Sequence, residues 1–413
     1  MKHLIFALSL ALFASTAVAQ TVKRPNDPEF LAKAKSESPA SQNKLGESYY
    51  KGDGVGQSYV KAVKWFRIAA SKDNDKAQYN LGMCYKTGKG VRQSDAEALK
   101  WLKKAAEQGN SDAQCQLGIF YYEGDGVEKS YVEAARLLQQ AADNSDKVAT
   151  AYLGDCYYYG KGVKQSYSDA VKWYRVSAFQ GDAKGRNALG VCYFNGDGVT
   201  ASYSAADSLW SLAAEQGNAD AQYNLGLCYE KGYYESQSYS QAVKWYQLAA
   251  DKGNAAAERS LGNCYALGHG VRQNSAEAVK WYRFAAAQGD AQAQCDLGIC
   301  YEKGEGVEKS YTEAAKWYRL SADQGYPIGQ FLLALCYENG YGVPCSLNES
   351  VKWLKKAADQ DCVEAQYYLG YCYEKGHGVP KNHDESVLWY RMAEDQGISR
   401  AETDLTRIGS TKW

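Results

Sequence analysis

A leucine recurs every 36 residues from Leu45 to Leu405 without a single insertion, and this period confines the chain to a stacked array of identical units. Each of the first ten leucines is followed by glycine, except at Ala334, and a tyrosine stands four places after each, from Tyr49 and Tyr85 to Tyr337 and Tyr373. Small residues such as Ala77, Ala113, Gly185 and Ala365 precede the leucine by four. Small residue, leucine and tyrosine at intervals of four share one stripe of a helix. A glycine seven places after each of these leucines, as at Gly52, Gly88 and Gly124, supplies the left-handed conformation that stops it.

A second helix opens at Ser58, Ser94, Ser130, Ser166, Ser202, Ser238, Asn274, Ser310, Ser346 and Asn382, and most of these have an acidic or amide residue three places on, which predicts a capping box. Alanine follows the cap by four, and Trp65, Trp101, Trp173, Trp245, Trp281, Trp317, Trp353 and Trp389 come three later, filling the gap between helices that alanine lets approach. Ala-Ala-x-Gln-Gly, as at Ala105–Gly109, ends the helix. Neither helix can bury its apolar face alone, so each repeat must stack on its neighbours.

The first residues carry a separate message. Met1-Lys2-His3 is a short positive start, Leu4 to Ala17 is apolar, and Ala17-Val18-Ala19 is a small-x-small cleavage site, which predicts export with cleavage before Gln20 to the periplasm or the medium. The apolar run is too short to span a bilayer and no other stretch is long enough, so no membrane insertion is expected after cleavage. With 47 Lys+Arg against 48 Asp+Glu, no global field draws the chain to nucleic acid or to anionic lipid. A monomer that recognises its partner locally is expected.

The pattern A-x-x-x-L-G-x-x-Y-x-x-G-x-G-V, a polar cap, then A-x-x-W-[YLF]-x-x-A-A-x-Q-G resembles the Sel1-like repeat, a relative of the tetratricopeptide repeat, over about residues 37 to 409. The resemblance implies an all-α, right-handed α-solenoid of ten helix-turn-helix repeats. Residues 1–19 are read as signal peptide, 20–36 as a linker with a capping helix near Phe30 to Ala34, 37–397 as the solenoid and 398–413 as a C-terminal capping helix. Departures are Tyr233-Tyr234-Glu235, where Gly-Val is expected, and Leu137 and Leu209 in place of tryptophan.

Eight of the twelve cysteines, from Cys84 and Cys156 to Cys336 and Cys372, share the position three after the leucine. Equivalent positions in neighbouring repeats lie about 10 Å apart, beyond disulfide reach at about 7 Å, so these read as small core residues. Secreted cysteine-rich relatives carry a second cysteine per repeat, which this chain lacks. Some of those relatives are associated with β-lactam binding or hydrolysis, and Ser58-x-x-Lys61 with Lys86-Thr87-Gly88 is similar to parts of a serine acyl-enzyme signature. Both coincide with ordinary repeat positions, a helix cap and a helix exit, and no Ser-Asp-Asn element accompanies them. His377 and His383 lack further metal ligands. No cofactor, metal or catalytic group is expected, and the competing readings are a cell-wall or β-lactam hydrolase and a carbohydrate-binding module.

In tetratricopeptide-like arrays the first helices line the concave face, and by that resemblance the lining positions here are Tyr79, Met83, Ile119, Tyr122, Tyr158, Tyr159, Phe194, Tyr223, Leu227, Phe331, Tyr367 and Tyr371, with Val191, Ile299 and Leu335 in the same register. Tyrosine offers contact area and a hydroxyl at low entropic cost, which suits a protein or peptide partner. The same residues could equally pack on one another. The hot spot is expected around Tyr122, Tyr158, Tyr159 and Phe194, while Glu302, Lys303, Glu338, Glu374 and Lys375 make the later lining charged.

Overall fold

The computed structural model describes residues 38–233 and 236–409, and every regular element among them is a helix. The predicted signal peptide and the capping helix near Phe30 lie outside the described residues, as do Tyr234, Glu235 and residues 410–413. The first helices of the ten repeats are α1 (Pro39–Lys51), α3 (Asp75–Thr87), α5 (Ser111–Glu123), α7 (Lys147–Tyr159), α9 (Ala183–Asn195), α11 (Ala219–Lys231), α13 (Ala255–Leu267), α15 (Ala291–Lys303), α17 (Pro327–Asn339) and α19 (Val363–Lys375). The second helices are α2 (Tyr59–Ala70), α4 (Asp95–Glu107), α6 (Tyr131–Asp143), α8 (Tyr167–Phe179), α10 (Tyr203–Glu215), α12 (Tyr239–Ala250), α14 (Ser275–Ala287), α16 (Tyr311–Asp323), α18 (Leu347–Ala358) and α20 (His383–Asp395), and α21 (Ser399–Arg407) follows them. The helices form two compact units, one ending at Gln165 and holding α1 to α7, the other beginning at Ser166 and holding α8 to α21. Within each unit a helix packs chiefly on its neighbours in sequence, and the first helices α1 and α3, α5 and α7, and α15 and α17 also touch directly.

The ends of the helices are written chemically. The first helices start at Asn74, Asn110, Asp146, Asp182, Asn218, Asn254 and Asp290, whose side-chain oxygens accept a backbone N–H three residues on at 2.7–2.9 Å. They stop at glycines of positive φ, such as Gly88, whose N–H donates to the carbonyl of Cys84. The serine caps of the second helices accept from the third N–H, as Ser94 does from Glu97 at 3.3 Å. The predicted capping box is only half present. Ser94 N–H already donates to Tyr85 O at 3.0 Å, so the Glu97 carboxylate turns outward to Lys100 at 3.3 Å. Glu133 does the same with Arg136 at 2.9 Å, and Glu313 with Lys316 at 2.6 Å.

Burial corrects the part expected of tryptophan. The residue after it, Phe66, Leu102, Tyr246, Tyr282, Tyr318 or Tyr390, is the more deeply buried of the two, even where the tryptophan is itself buried, as Trp389 is. Its ring or branch lies over the glycine that follows the leucine: a Cβ on Gly226 would fall 2.5 Å from Tyr246 Cδ1, and one on Gly298 2.5 Å from Tyr318 Cε1. The Leu-Gly pair is therefore a ridge beside a seat. Tryptophan instead fills the groove to the preceding repeat, as Trp245, Trp281 and Trp317 do against the alanine-rich cores around Ala206, Ala242 and Ala278.

Polar rungs join successive repeats, and the two ends of one repeat, inside this apolar packing. Gln78, Gln114 and Gln222 donate to the last carbonyls of the preceding second helix, Ala70, Ala106 and Ala214, at 3.1–3.3 Å. The glutamine of the Ala-Ala-x-Gln-Gly element donates to the first-helix glutamine of its own repeat, thirty residues earlier: Gln108 to Gln78, Gln324 to Gln294, Gln360 to Gln330 and Gln396 to Gln366, all at 2.8–2.9 Å. Buried amides paired in this way avoid the desolvation penalty of an unmade bond. The register cysteines are buried thiols, as expected of core residues. Burial pushes Cys84 up to about 11 and Cys228, Cys264, Cys336 and Cys372 up to about 12, so they stay protonated and inert.

Candidate binding face of the first helices

The stripe of Leu81, Leu117 and their equivalents faces the second helices, which leaves positions two before, two after and five or six after each leucine on the other side of the first helices. Of the twelve residues expected there, ten are half-buried, Tyr159 is 59% exposed, and Ile119 is buried at 6%. Ile119 is a correction: α7 packs directly on α5, bringing Tyr152 to 5.6 Å from Tyr122, and a β-branched residue on α5 offers no reach beyond that contact.

In the first unit, Tyr79 and Met83 line a cleft of about 350 Å³ with Glu47, Tyr50, Lys51, Phe66 and Asn80. Burial, aided by Asp112, pushes the Tyr79 hydroxyl up to about 12, so it remains a donor. Asn80 donates to Asn43 Oδ1 at 3.0 Å, and Asn43 donates to Glu47 Oε1 at 2.7 Å. The cleft thus has an aromatic floor and a polar rim. Further along, Tyr122 meets Tyr131 and Tyr152 edge-on at 5.5 and 5.6 Å. Lys161 donates to Tyr122 Oη at 3.2 Å and lies 5.2 and 5.1 Å from the Tyr131 and Tyr159 rings. Tyr158 and Tyr159 pack edge-on at 4.9 Å. Lys161 sits between the two loop glycines, as Lys89 does over Tyr50 and Tyr59. A lysine in that loop position, beside so many tyrosines, was the readable signal for this aromatic cluster.

In the second unit, Phe194 packs among Tyr203, Trp210 and Tyr233 at 5.1–5.5 Å. Tyr223 lies on Tyr246 at 5.8 Å, and Leu227 is half-buried beside it on α11. Phe331 meets Tyr368 at 5.5 Å. Tyr367 is drawn into the end of the array, donating to Asp404 at 2.9 Å, and Tyr371 meets His377 at 5.4 Å. The late acidic positions are structural. Glu302 and Glu374 accept the buried hydroxyls of Tyr318 and Tyr390 at 2.6 and 2.9 Å, and Arg407 clamps Glu374 with two bonds of 2.7 Å. Arg407 first, then Lys375 and Tyr390, hold the Glu374 carboxyl down to about 2 against its burial.

An ionic spot interrupts this aromatic lining where sequence reading saw none. Arg259 Nε lies 3.5 Å from Asp290, and Asp296 stands near it. Burial pushes Asp296 up to about 6, with Arg259 opposing and Asp290 adding to the rise. An acid whose folded pKa exceeds the ordinary 3.8 gives stability below pH ~4 that is lost as pH rises through ~6. Asp296→Asn is therefore expected to stabilise the chain by roughly 1–3 kcal/mol near pH 7.5 and by almost nothing near pH 4. Urea denaturation at the two pH values checks this, and an equal gain at both would exclude titration as the cause.

The suspected nucleophile pair is also accounted for. Ser58 Oγ accepts from Lys61 N at 3.4 Å as a helix cap, while the Lys61 ammonium lies 5.4 Å over the Tyr49 ring. Among the described residues no group of His, Cys, Asp and Glu could hold a metal ion, and no helix is long and apolar enough to cross a membrane.

Ten consecutive segments, 39–74, 75–110, 111–146, 147–182, 183–218, 219–254, 255–290, 291–326, 327–362 and 363–398, match the Sel1 repeat. The chain is a Sel1 repeat protein. Among solved structures, this Sel1 repeat chain is 35% identical to c5321, a protective antigen present in uropathogenic Escherichia coli strains displaying an SLR fold; the match covers 92% of this chain and 81% of that one with a TM-score of 0.67. It is also 35% identical to a Sel1 repeat protein from Oxalobacter formigenes, over 59% of this chain and 96% of that one, with a TM-score of 0.54. No curated protein matches it. Sel1 repeat proteins are generally non-catalytic scaffolds that mediate protein–protein interaction.

Proposed function

We propose that this chain is an exported, non-enzymatic scaffold that holds a protein or peptide partner on the concave face formed by its first helices. The observation that carries the reading is the cluster of Tyr122, Tyr131, Tyr158 and Tyr159 around Lys161, with Tyr159 59% exposed. Its rings are braced against one another, so little freedom remains to be lost on binding, and rigid aromatic anchors of this kind dominate binding energy. The lining is graded in depth, with half-buried rings supporting the exposed one. Export rests on the Met1–Ala19 signal pattern, and the description of c5321 as a protective antigen is in keeping with a location that antibodies reach.

Immobilised chain exposed to envelope and extracellular fractions is expected to retain a specific protein that Tyr158→Ala/Tyr159→Ala loses by about tenfold or more, a loss of 1.4 kcal/mol or above. Retention by the double variant at wild-type level would remove the cluster from the binding site, and sugars or small molecules recovered in place of a protein would replace the scaffold reading.

A further inference from the structure

The second helices of the later unit carry a row that the proposed binding face leaves unused. Val176, Leu212, Leu248, Phe284 and Leu320 occupy one register position on α8, α10, α12, α14 and α16, and each keeps 42–49% of its surface exposed. Trp245, Trp281 and Trp317 close the grooves between α10, α12, α14 and α16, so apolar surface runs from one of these helices to the next, and Leu209 holds that position at the step from α8. The first unit has Ile68, Lys104 and Gln140 at the same position, and beyond Leu320 the row ends at Lys356, whose ammonium lies 3.9 Å from the centre of the Trp353 ring. Five exposed apolar residues in register exceed what a surface scatters at random.

Charge flanks the row unevenly. Toward the helix starts Lys172, Lys280 and Lys316 are each paired with a carboxylate of their own helix, Asp169, Glu277 and Glu313, while the helix of Lys244 has Gln241 at that position; the cationic excess lies in the arginines. Arg175, Arg283 and Arg319 immediately precede Val176, Phe284 and Leu320. These arginines donate to the hydroxyls of Tyr193, Tyr301 and Tyr337, neutral groups that do not cancel their charge, and Arg319 also acts on the Glu349 carboxylate of the next repeat. The carboxylates Glu215, Asp251 and Asp323 lie on the opposite flank, toward the helix ends.

We propose that this row is a second docking surface, occupied by an extended acidic segment of a partner protein with an apolar residue at every third position. Spacing and charge both select it. Stacked helices repeat at about 10 Å, and a polyproline II segment returns the same face every three residues, at about 9.3 Å. Such a segment sets one apolar side chain on each helix of the row. Its second face then runs along the arginine flank, where carboxylates find uncancelled charge. A helical partner would need an open groove, which the tryptophans fill.

The probe is a fluorescent peptide of five Leu-Pro-Glu triplets, titrated with the purified chain and read by anisotropy. Saturable binding that weakens as salt rises is expected, at least tenfold weaker for the Leu-Pro-Lys peptide. Leu248→Glu/Phe284→Glu should abolish it, Arg283→Gln/Arg319→Gln should weaken it with the apolar row intact, and Tyr158→Ala/Tyr159→Ala should leave it unchanged, which separates this surface from the first-helix face. Circular dichroism confirms that the variants keep their helices. No binding to the acidic peptide, or equal binding to the basic one, overturns the proposal; binding only to phosphatidylserine vesicles would assign the row to lipid instead.

Discussion

Replacing Tyr318 with alanine is expected to cost about 3–5 kcal/mol, the range for emptying a buried aromatic site. Tyr318 is fully buried between α15, α16 and the following repeat, its ring seated over Gly298 and its hydroxyl donating to Glu302 at 2.6 Å. Alanine loses the ring, the bond and the filling of the glycine seat together. Tyr318→Phe keeps the ring and should lose only about 1–2 kcal/mol, because the bond it removes is to a charged acceptor. In a repeat array stability is a sum of local terms, so hydrogen exchange in α15, α16 and α17 should accelerate before the urea transition of distant repeats moves. Unchanged exchange there in the alanine variant would show that the glycine seat does not carry the repeat interface.

The second large effect lies in a loop. Gly342 has φ 72°, and a Cβ on it would overlap the carbonyl of Tyr311, the first residue of α16 in the preceding repeat. Alanine at Gly342 is expected to cost about 3 kcal/mol, backbone strain and overpacking adding together. Gly325 provides the control. Its φ is 89° but nothing lies within 4 Å of its would-be Cβ, so Gly325→Ala should cost only the strain, about 1 kcal/mol. Equal losses at the two positions, measured by urea denaturation, would reduce the loop glycine to a conformational role and remove its part in seating the next repeat.

The helices, their order and their caps were legible because each depends on residues within one or two turns of each other. Leucine with a small residue and tyrosine at spacing four is a local statement, and so is a serine before the second helix. What escaped the reading depends on how far one helix is rotated about its axis against another. Trp317 and Tyr318 are adjacent and both aromatic, yet 100° of helical rotation puts one in the groove to the preceding repeat and the other over Gly298. The half-formed capping box escaped for a similar reason, since the N–H it needed is claimed by Tyr85, nine residues back. The candidate face was legible in register but not in depth. Period alone places Ile119 and Tyr159 on the same side, whereas the approach of α7 to α5 decides that one is covered and the other left open. Arg259 and Asp296 went unnoticed because each is an ordinary charged residue until burial brings them together.

The glutamine rungs set the terms on which such a chain can change length. Each amide pair lies within one 36-residue module, and each carbonyl bond reaches back eight residues across the junction to a backbone oxygen that every module supplies, so duplication or excision of a whole module keeps the pairs and re-forms the bonds across the junction. A gain or loss of any other size would break the rungs on either side of the junction. The unbroken period from Leu45 to Leu405 is then the record of a molecule that can be lengthened or shortened in only one denomination.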